Sequence, residues 1–443
     1  MESLLQKKLK SDKRERKAID EKLNLAPIQS TKEEGKLVKD ILASVAREYR
    51  SQIAANGFTD TIMDSIEAFV SREAGNCDPS YEKQQRVKRM VMANITGLGP
   101  IQPYMDDPAV TEIVVQRYDL ICIEKDGAIV PVEASFMDDG HLRAIIDRII
   151  QQVGRQLNLF TPMVDARLPD GSRVNATIPP VTPDGATMTI RKFSTKALTG
   201  EQYIALGSIS LQMLEFLSAC VSTRVSLIVS GGTNSGKTTL LNMLSGYIPE
   251  AELIVTIEDS CELQLRQKNV RRMETRQQMA EGMLPVTIQT LVKNSLRMRP
   301  DRIIIGEVRD GTIVDLMSAM STGHEGSVST IHANSPTNLI NARMPILYAM
   351  NKDMTFSEDA QMRQIAEALQ LIVQVSKCDD GIRRITHISH IAEYRRDTGI
   401  EIRDVFLYKD GKFTATGYEP TAIMDHFAKK GLAFDKSIFQ KEA

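Results

Sequence analysis

The segment GGTNSGKTT, residues 231–239, has the residue types and the spacing of a loop that binds phosphate groups. Gly231, Gly236, Lys237 and Thr238 fit the pattern G-x-x-x-x-G-K-[ST]; an aliphatic run leads into the segment and a helical pattern leaves it. In such a strand–loop–helix unit, glycines let the backbone N–H groups and the helix N-terminus point at a phosphate. The sequence therefore predicts a nucleotide site, against the alternative of a glycine-rich turn with an exposed lysine.

The side chains of this loop have separate expected tasks. Lys237 reaches the β- and γ-oxygens of the nucleotide, and the Thr238 hydroxyl ligates Mg²⁺. A nucleotide with β- and γ-phosphates and Mg²⁺ are therefore the expected cofactors, and the family resemblance given below implies that the nucleotide is ATP. The residues expected to bind them are Gly232, Thr233, Asn234, Ser235, Gly236, Lys237, Thr238 and Thr239.

Two acidic residues follow aliphatic runs beyond the loop. Glu258, followed by Asp259, ends the run LIVTIE, and Glu307 ends the run RIIIGE. If these runs are neighbouring parallel strands, both carboxylates lie at the carboxyl edge of one sheet, where ligands of open α/β sheets bind. One carboxylate can hold Mg²⁺ through water while the other orients or deprotonates the attacking water. Either one alone would also fit an ordinary surface acid after a strand.

The segment STGHEGSVSTIHANSP, residues 321–336, holds two of the six histidines of the chain, His324 and His332. It contains no HExxH helix and no cysteine, which argues against a zinc site. We expect His324 on the loop before a strand and His332 near the end of that strand, where both can face the phosphate pocket. There they would exchange hydrogen bonds when the γ-phosphate leaves. The alternative is that both histidines brace the loop.

The elements that position these residues are indicated by the pattern along the chain, and 443 residues are too many for one ordinary core. Leu37, Ile41, Val45 and Tyr49 recur at helical spacing, and an Asp126-Gly127 pair between two strand-like runs indicates a hairpin. Short aliphatic runs separated by helical segments are typical of a parallel sheet covered on both faces. We expect a charged flexible arm (1–36), a helical N-terminal region (37–94), an α/β domain with an antiparallel sheet (95–193), a linker (194–205) and a mainly parallel α/β domain (206–443).

The composition excludes several classes of protein. The 55 basic and 57 acidic residues leave a net charge of −2, which gives no overall attraction to nucleic acid or acidic lipid. The five cysteines form no CxxC pair, which argues against a zinc ribbon and a secreted disulfide framework. The N-terminus lacks the apolar core of a signal peptide, and no apolar run approaches the ~18 residues of a membrane span. We expect a soluble, cytoplasmic protein that contacts a membrane only through a partner.

In combination, these segments resemble the type II/IV secretion ATPases, and most of all the CpaF/TadA-type ATPases of Tad/Flp pilus assembly. Four boxes stand in the order of that family: GGTNSGKTT, TIEDSCELQL, RIIIGEVRD with Glu in place of Asp, and STGHEGSVSTIHANSP. Upstream, GLGPIQPYMDDPAVTEIVV and DARLPDGSRVNATIPP resemble the amino-terminal domain of that subfamily. The resemblance covers residues 85–420 and implies a RecA-like P-loop domain preceded by a smaller, PAS-like α/β domain.

The resemblance also implies roles for the strand-end residues. It implies that Glu258 is the catalytic base and that Glu307 holds the shell of Mg²⁺ and its waters. It also implies that His324 and His332 line the pocket of the γ-phosphate.

Arginines of the amino-terminal domain are implied to reach the phosphates as well. Arg173 and Arg191 match those positions, and Arg167 is a further candidate. A guanidinium aimed at the transferring phosphoryl group stabilises charge that grows in the transition state. Ordinary surface charge on a sheet is the alternative for all three.

As a whole, the resemblance implies a homo-hexameric, ATP-hydrolysing motor at the cytoplasmic face of the inner membrane, where it acts on platform proteins that add pilin subunits. A type IV secretion traffic ATPase has the same boxes and is the main alternative. A nucleic-acid motor is a further alternative, disfavoured by the neutral charge and by 5% aromatic residues with no tryptophan, so no nucleic-acid partner is expected. A third alternative is a scaffold that binds nucleotide but does not hydrolyse it. Steady ATP hydrolysis that is lost in Glu258→Gln, while nucleotide binding is kept, would exclude this alternative.

Overall fold

The computed structural model describes residues 32–56, 59–77, 80–125, 127–193, 198–276 and 284–441. Most of the predicted arm 1–36 therefore lies outside the described residues, as do Asp126 of the predicted hairpin and residues 194–197 of the predicted linker. The chain divides into two compact units, Met1–Ser194 and Thr195–Ala443, each with a core of its own.

Three helices open the described part of the first unit: α1 (Lys32–Asn56), α2 (Asp60–Cys77) and α3 (Tyr81–Thr96). Apolar residues recur every three or four positions along each helix, and these stripes pack together in a core that includes Ile41, Ile66 and Val91. Residues 32–36, the last five of the predicted arm, belong to α1.

A six-stranded antiparallel sheet follows, in the order β3-β2-β1-β6-β5-β4. The short helix α4 (Gln102–Asp106) precedes this sheet, and the apolar face of α5 (Asp139–Gln152) packs in its core. The strands are β1 (Val110–Arg117), β2 (Leu120–Lys125), β3 (Ala128–Val132), β4 (Met163–Arg167), β5 (Arg173–Thr177) and β6 (Thr187–Arg191).

The described part of the second unit is built on a nine-stranded sheet in the order β15-β14-β13-β12-β7-β11-β10-β8-β9. Neighbours from β12 to β9 are parallel, and β13, β14 and β15 continue the sheet antiparallel. Leu227 and Ile228 lie in two different apolar cores, so both faces of the sheet are covered. The predicted α/β class is confirmed, whereas the antiparallel extension β13–β15 is a feature that the sequence did not indicate.

The strands of this sheet are β7 (Leu227–Gly231), β8 (Ile254–Glu258), β9 (Val270–Glu274), β10 (Arg302–Val308), β11 (Val328–His332), β12 (Leu371–Lys377), β13 (Arg383–Arg395), β14 (Gly399–Lys409) and β15 (Lys412–Ala415). The helices are α6 (Gly200–Ala205), α7 (Leu211–Ser222), α8 (Lys237–Ser245), α9 (Ile288–Ser295), α10 (Ile313–Ser321), α11 (Pro336–Asn338), α12 (Met344–Ala349), α13 (Glu358–Ala368) and α14 (Thr421–Lys429). None of the helices in the described ranges combines the length and the apolar character needed to cross a membrane.

Candidate functional site

The predicted phosphate loop joins β7 to α8. A Cβ on Gly231 would clash with the carbonyl oxygen of Val375 on β12, so only glycine fits where the loop begins. Asn234 and Gly236 have left-handed backbones, with φ of 56° and 93°, and Gly236 directly precedes the helix. Left-handed residues ahead of a helix N-terminus turn backbone N–H groups towards one point, which is the form of an anion-binding nest.

Lys237, the first residue of α8, lies at the centre of this site. Its Nζ donates to the carbonyl oxygens of Gly232 at 2.9 Å and of Gly231 at 3.2 Å, and lies 3.4 Å from Nδ1 of His332. An ammonium group can only donate, so Nδ1 is the acceptor and the ring proton is on Nε2, 3.3 Å from Oγ1 of Thr233. Burial first, and then the charge of Lys237, lower the pKa of His332, so the ring is neutral at pH 7. His332 therefore connects the loop to its lysine as a neutral hydrogen-bonding group.

Glu307 lies beside His332 because β10 is the neighbour of β11. Its Oε1 is 4.0 Å from Nδ1 of His332, and its Oε2 accepts a hydrogen bond from Nε of Arg309 at 2.8 Å. Burial is the main cause that lowers the pKa of Lys237, and the negative charge of Glu307 opposes it. Lys237, His332 and Glu307 thus converge at the carboxyl edge of the sheet.

Glu258 ends β8, on the far side of β10 from His332. Its side chain is 3% exposed, and its Oε1 accepts the backbone N–H groups of Glu262 at 2.9 Å and Leu263 at 3.0 Å. A Cβ on Gly306 would lie 2.9 Å from the Cγ of Glu258, so the glycine of RIIIGE makes room for this carboxylate. Glu258 is therefore at the predicted edge, where it holds the loop that follows β8.

That loop is also bound to the phosphate-loop helix. The N–H of Gln264 donates to Oδ1 of Asn242 on α8 at 2.8 Å, and Nε2 of Gln267 donates to the carbonyl oxygen of Ser245 at 2.8 Å. Hydrogen bonds therefore connect the loop after Glu258 to the helix that begins at the phosphate loop.

His324 lies at the opposite edge of the sheet. Strand β11 runs parallel to β7 and ends with His332 opposite Gly231, whereas His324 precedes β11 and its Nδ1 donates to the carbonyl oxygen of Pro300 at 3.0 Å. A strand rises about 3.3 Å per residue, so the length of β11 separates the two histidines. The expectation that both face the phosphate pocket is therefore corrected: within one chain, His332 reaches it and His324 does not.

The three predicted arginines lie in the first unit and form a row. Arg173 on β5 is the register partner of Arg167 on β4 and of Arg191 on β6. Directly opposite residues share a face, and the adjacent Val174 and Ile190 are buried in the core, so the arginines occupy the other face. The row therefore brings three guanidinium side chains to one face of the sheet. Which site the row serves stays a prediction.

Residues 94–403 match the family described as type II/IV secretion system protein. The chain belongs to this family. It is 32% identical over 307 residues to a protein of Mycobacterium tuberculosis strain H37Rv whose name assigns it to conjugal transfer, a match that covers 68% of this chain and 86% of that protein. It is 30% identical over 297 residues to the conjugal transfer protein TrbB of Rhizobium radiobacter, covering 66% and 87%. The solved VirB11 ATPase of the Brucella suis type IV secretion system, in complex with sulphate, is 26% identical with a TM-score of 0.37, covering 66% of this chain and 95% of that chain.

This member of the secretion family is an ATPase. The region that matches the family contains the phosphate loop, both strand-end carboxylates and the histidine segment.

The residues around Lys237 fit a magnesium ion. Thr238 follows in the first turn of α8, half-buried, and its hydroxyl and the carboxylate of Glu307 are hard oxygen ligands. Mg²⁺ takes few such ligands together with waters and substrate phosphates. In the described ranges, no group of three or more His, Cys, Asp or Glu side chains could hold a metal.

Sequence reasoning missed two residues of this site. Arg309 follows Glu307 by two positions, and the alternation of an extended chain gives a local signal that both side chains point the same way. Arg383 on β13 donates to Asn234 of the phosphate loop from 149 positions away, and no local signal marks it.

Proposed function

We propose that this ATPase works as a homo-hexamer that uses Mg²⁺ and ATP to drive transfer of macromolecules through a secretion machine of the type IV class. The observation that carries the proposal is the convergence of Lys237, His332 and Glu307 on one phosphate loop. The names of the relatives described above assign those proteins to conjugal transfer, which supports a traffic ATPase over a pilus motor.

In the proposed cycle, Lys237 moves its hydrogen bonds from the carbonyls of Gly231 and Gly232 to phosphate oxygens. When bound, Mg²⁺ neutralises charge on the phosphates, and Thr238 and Glu307 would hold it. Because His332 is bonded to Lys237 and to the loop, it changes its contacts when the γ-phosphate leaves.

We propose a different carboxylate for the attacking water from the one that the resemblance implies. The resemblance gives this task to Glu258, whereas the contacts favour Glu307, which lies beside His332. In the proposal, the carboxylate of Glu307 would hold the Mg²⁺–water shell and orient the attacking water next to it, and Glu258 holds the adjoining loop.

We further propose that the arginine row Arg167–Arg173–Arg191 brings guanidinium groups to the phosphates of a nucleotide held by the same or a neighbouring subunit. The proposed location is the cytoplasmic face of the inner membrane, and the proposed partners are inner-membrane proteins of the machine, with no nucleic acid bound.

Assembly of a Tad/Flp-like pilus, which the resemblance favours most, is the second candidate. The upstream segments GLGPIQPYMDDPAVTEIVV and DARLPDGSRVNATIPP support it.

One variant tests the proposal in a strain that carries the gene. Lys237→Ala removes the ammonium group that neutralises the phosphates, so we expect Mg²⁺-dependent phosphate release by the purified protein to fall by about 100-fold or more. Plasmid or effector transfer should be lost in the cell, while surface pilin stays at its usual amount. Lys409→Ala, an exposed lysine at the end of β14, is the control and should retain both activities. Loss of pilin with transfer retained would support the pilus function instead.

A further inference from the structure

The antiparallel extension contacts the phosphate loop through one arginine. Nε of Arg383 donates to the carbonyl oxygen of Asn234 at 2.9 Å, and Nη2 donates to Oδ1 of the same residue at 2.9 Å. A planar guanidinium that binds a main-chain and a side-chain oxygen of one residue fixes both the position and the orientation of that residue.

The backbone conformation of Asn234 is one that such a contact can stabilise. Its φ of 56° lies in the left-handed region, which few residues other than glycine adopt. Gly236, two residues later, is left-handed as well, and a Cβ there would lie 3.2 Å from Cδ of Arg383. The arginine therefore packs against both turning points of the loop.

The sheet order explains how Arg383 reaches this place. Strand β12 pairs with β7, with Val375 opposite Gly231 at the start of the loop. A tight turn then returns the chain as β13, closed by a hydrogen bond of 2.9 Å from the N–H of Cys378 to the carbonyl oxygen of Ile382. Arg383 is the first residue of β13 and so lies beside the loop.

We propose that Arg383 is a positioning residue of the ATPase, which holds Asn234 in its left-handed conformation and so keeps the phosphate loop in the shape that receives a phosphate. The inference rests on the proposed nucleotide site. Since Arg383 contacts the loop and not the reacting groups, its loss weakens nucleotide binding more than it slows the turnover of bound nucleotide.

The test compares Arg383→Gln with Arg395→Gln. Arg395 ends the same strand and pairs with Glu393, so it is a matched control. We expect Arg383→Gln to raise the Kd of a fluorescent ATP analogue and the KM for ATP about tenfold, with kcat within about twofold and with the thermal unfolding midpoint of the nucleotide-free protein unchanged. Arg395→Gln should change none of these. Unchanged affinity for Arg383→Gln, or a lower kcat with an unchanged KM, would overturn the proposal.

A second variant tests whether Arg383 acts through Asn234. Glycine adopts the left-handed region without help, so in an Asn234→Gly background the further change Arg383→Gln should raise Kd by less than about twofold. A tenfold loss in both backgrounds would mean that the arginine does not act through Asn234, and the proposal would be wrong. If Arg383→Gln lowers the unfolding midpoint, Arg383→Lys is used in its place. We expect the same loss of nucleotide affinity, because lysine cannot bind both oxygens of Asn234 as the planar guanidinium does.

Lys237→Ala distinguishes failure of this inference from failure of the proposed site. If the wild-type protein binds no nucleotide, or Lys237→Ala binds it as tightly as wild type, the nucleotide site itself is wrong. If Lys237→Ala loses binding and Arg383→Gln does not, only the role of Arg383 is wrong.

Discussion

At the scale of single residues, His332 has the surroundings of a sensor and His324 those of a brace. His332 is in contact with Thr233 and Lys237, so a change in the loop alters its hydrogen bonds. His324 holds the carbonyl oxygen of Pro300, two positions before Arg302, which is fully buried and paired with Glu252. The contacts therefore favour the sensor interpretation for His332 and the bracing interpretation for His324, and both roles stay predictions.

Glutamine substitutions separate the roles of the two carboxylates. Glu258→Gln removes the negative charge but keeps an oxygen that can accept the N–H groups of Glu262 and Leu263, so we expect kcat to fall less than about tenfold. Glu307→Gln, beside Lys237, should lower kcat by about 100-fold or more. The kcat values of the two variants are compared by steady-state phosphate release, with nucleotide binding measured in parallel. The opposite order would return the role of base to Glu258.

At the scale of elements, the order of the strands creates the site. Because β11 lies between β7 and β10, His332 is placed between the phosphate loop and Glu307. Because β12 lies on the other side of β7, the turn into β13 comes beside the same loop. The antiparallel extension is therefore part of the site's support rather than an appendage.

The extension also makes the stability of the second unit depend on pH. His390 on β13 is 4% exposed, its Nδ1 lies 2.9 Å from the Tyr418 hydroxyl, and burial lowers its pKa from 6.5 to about 4. Below pH 6.5 the unfolded chain takes up a proton that the folded chain does not, so the free energy of unfolding falls as the pH falls towards 4. We expect this histidine to lower the free energy of unfolding by about 2 kcal/mol at pH 5 relative to pH 7.5.

Denaturant unfolding of wild type and His390→Gln at both pH values measures this contribution. Glutamine can accept a hydrogen bond from Tyr418 without titrating, so the variant should lose about 2 kcal/mol less than wild type on acidification. An equal loss in both proteins would show that His390 is not responsible.

At the scale of the whole molecule, the arginine row and the phosphate loop belong to different units of the chain. If the row serves a neighbouring subunit, Lys237→Ala and Arg173→Ala should each be inactive alone, and mixing them before assembly should restore activity. Random mixing leaves about a quarter of the sites with both residues intact, so we expect about a quarter of the wild-type rate of phosphate release. No recovery in mixed oligomers would mean that the arginine acts within its own subunit or not on the phosphates.

The sequence alone identified the phosphate loop, because nine consecutive residues contain its lysine, its glycines and the start of its helix. It also identified the carboxyl-terminal parts of the strands that carry Glu258, Glu307 and His332, since each acid or histidine comes at or near the end of its own run of mainly aliphatic residues. The α/β class followed from the alternation of such runs with helical segments. All of these features are local, and backbone conformation and side-chain pattern over a few residues encode them.

Only the tertiary structure decided which of these residues meet. The direction of β11 separates His324 from His332, and the register of β4, β5 and β6 aligns three arginines that lie up to 24 positions apart, from Arg167 to Arg191. The contact between Arg383 and Asn234 joins residues 149 positions apart. Strand pairing of this kind depends on how all the apolar faces pack into common cores, and no short segment of sequence contains that information.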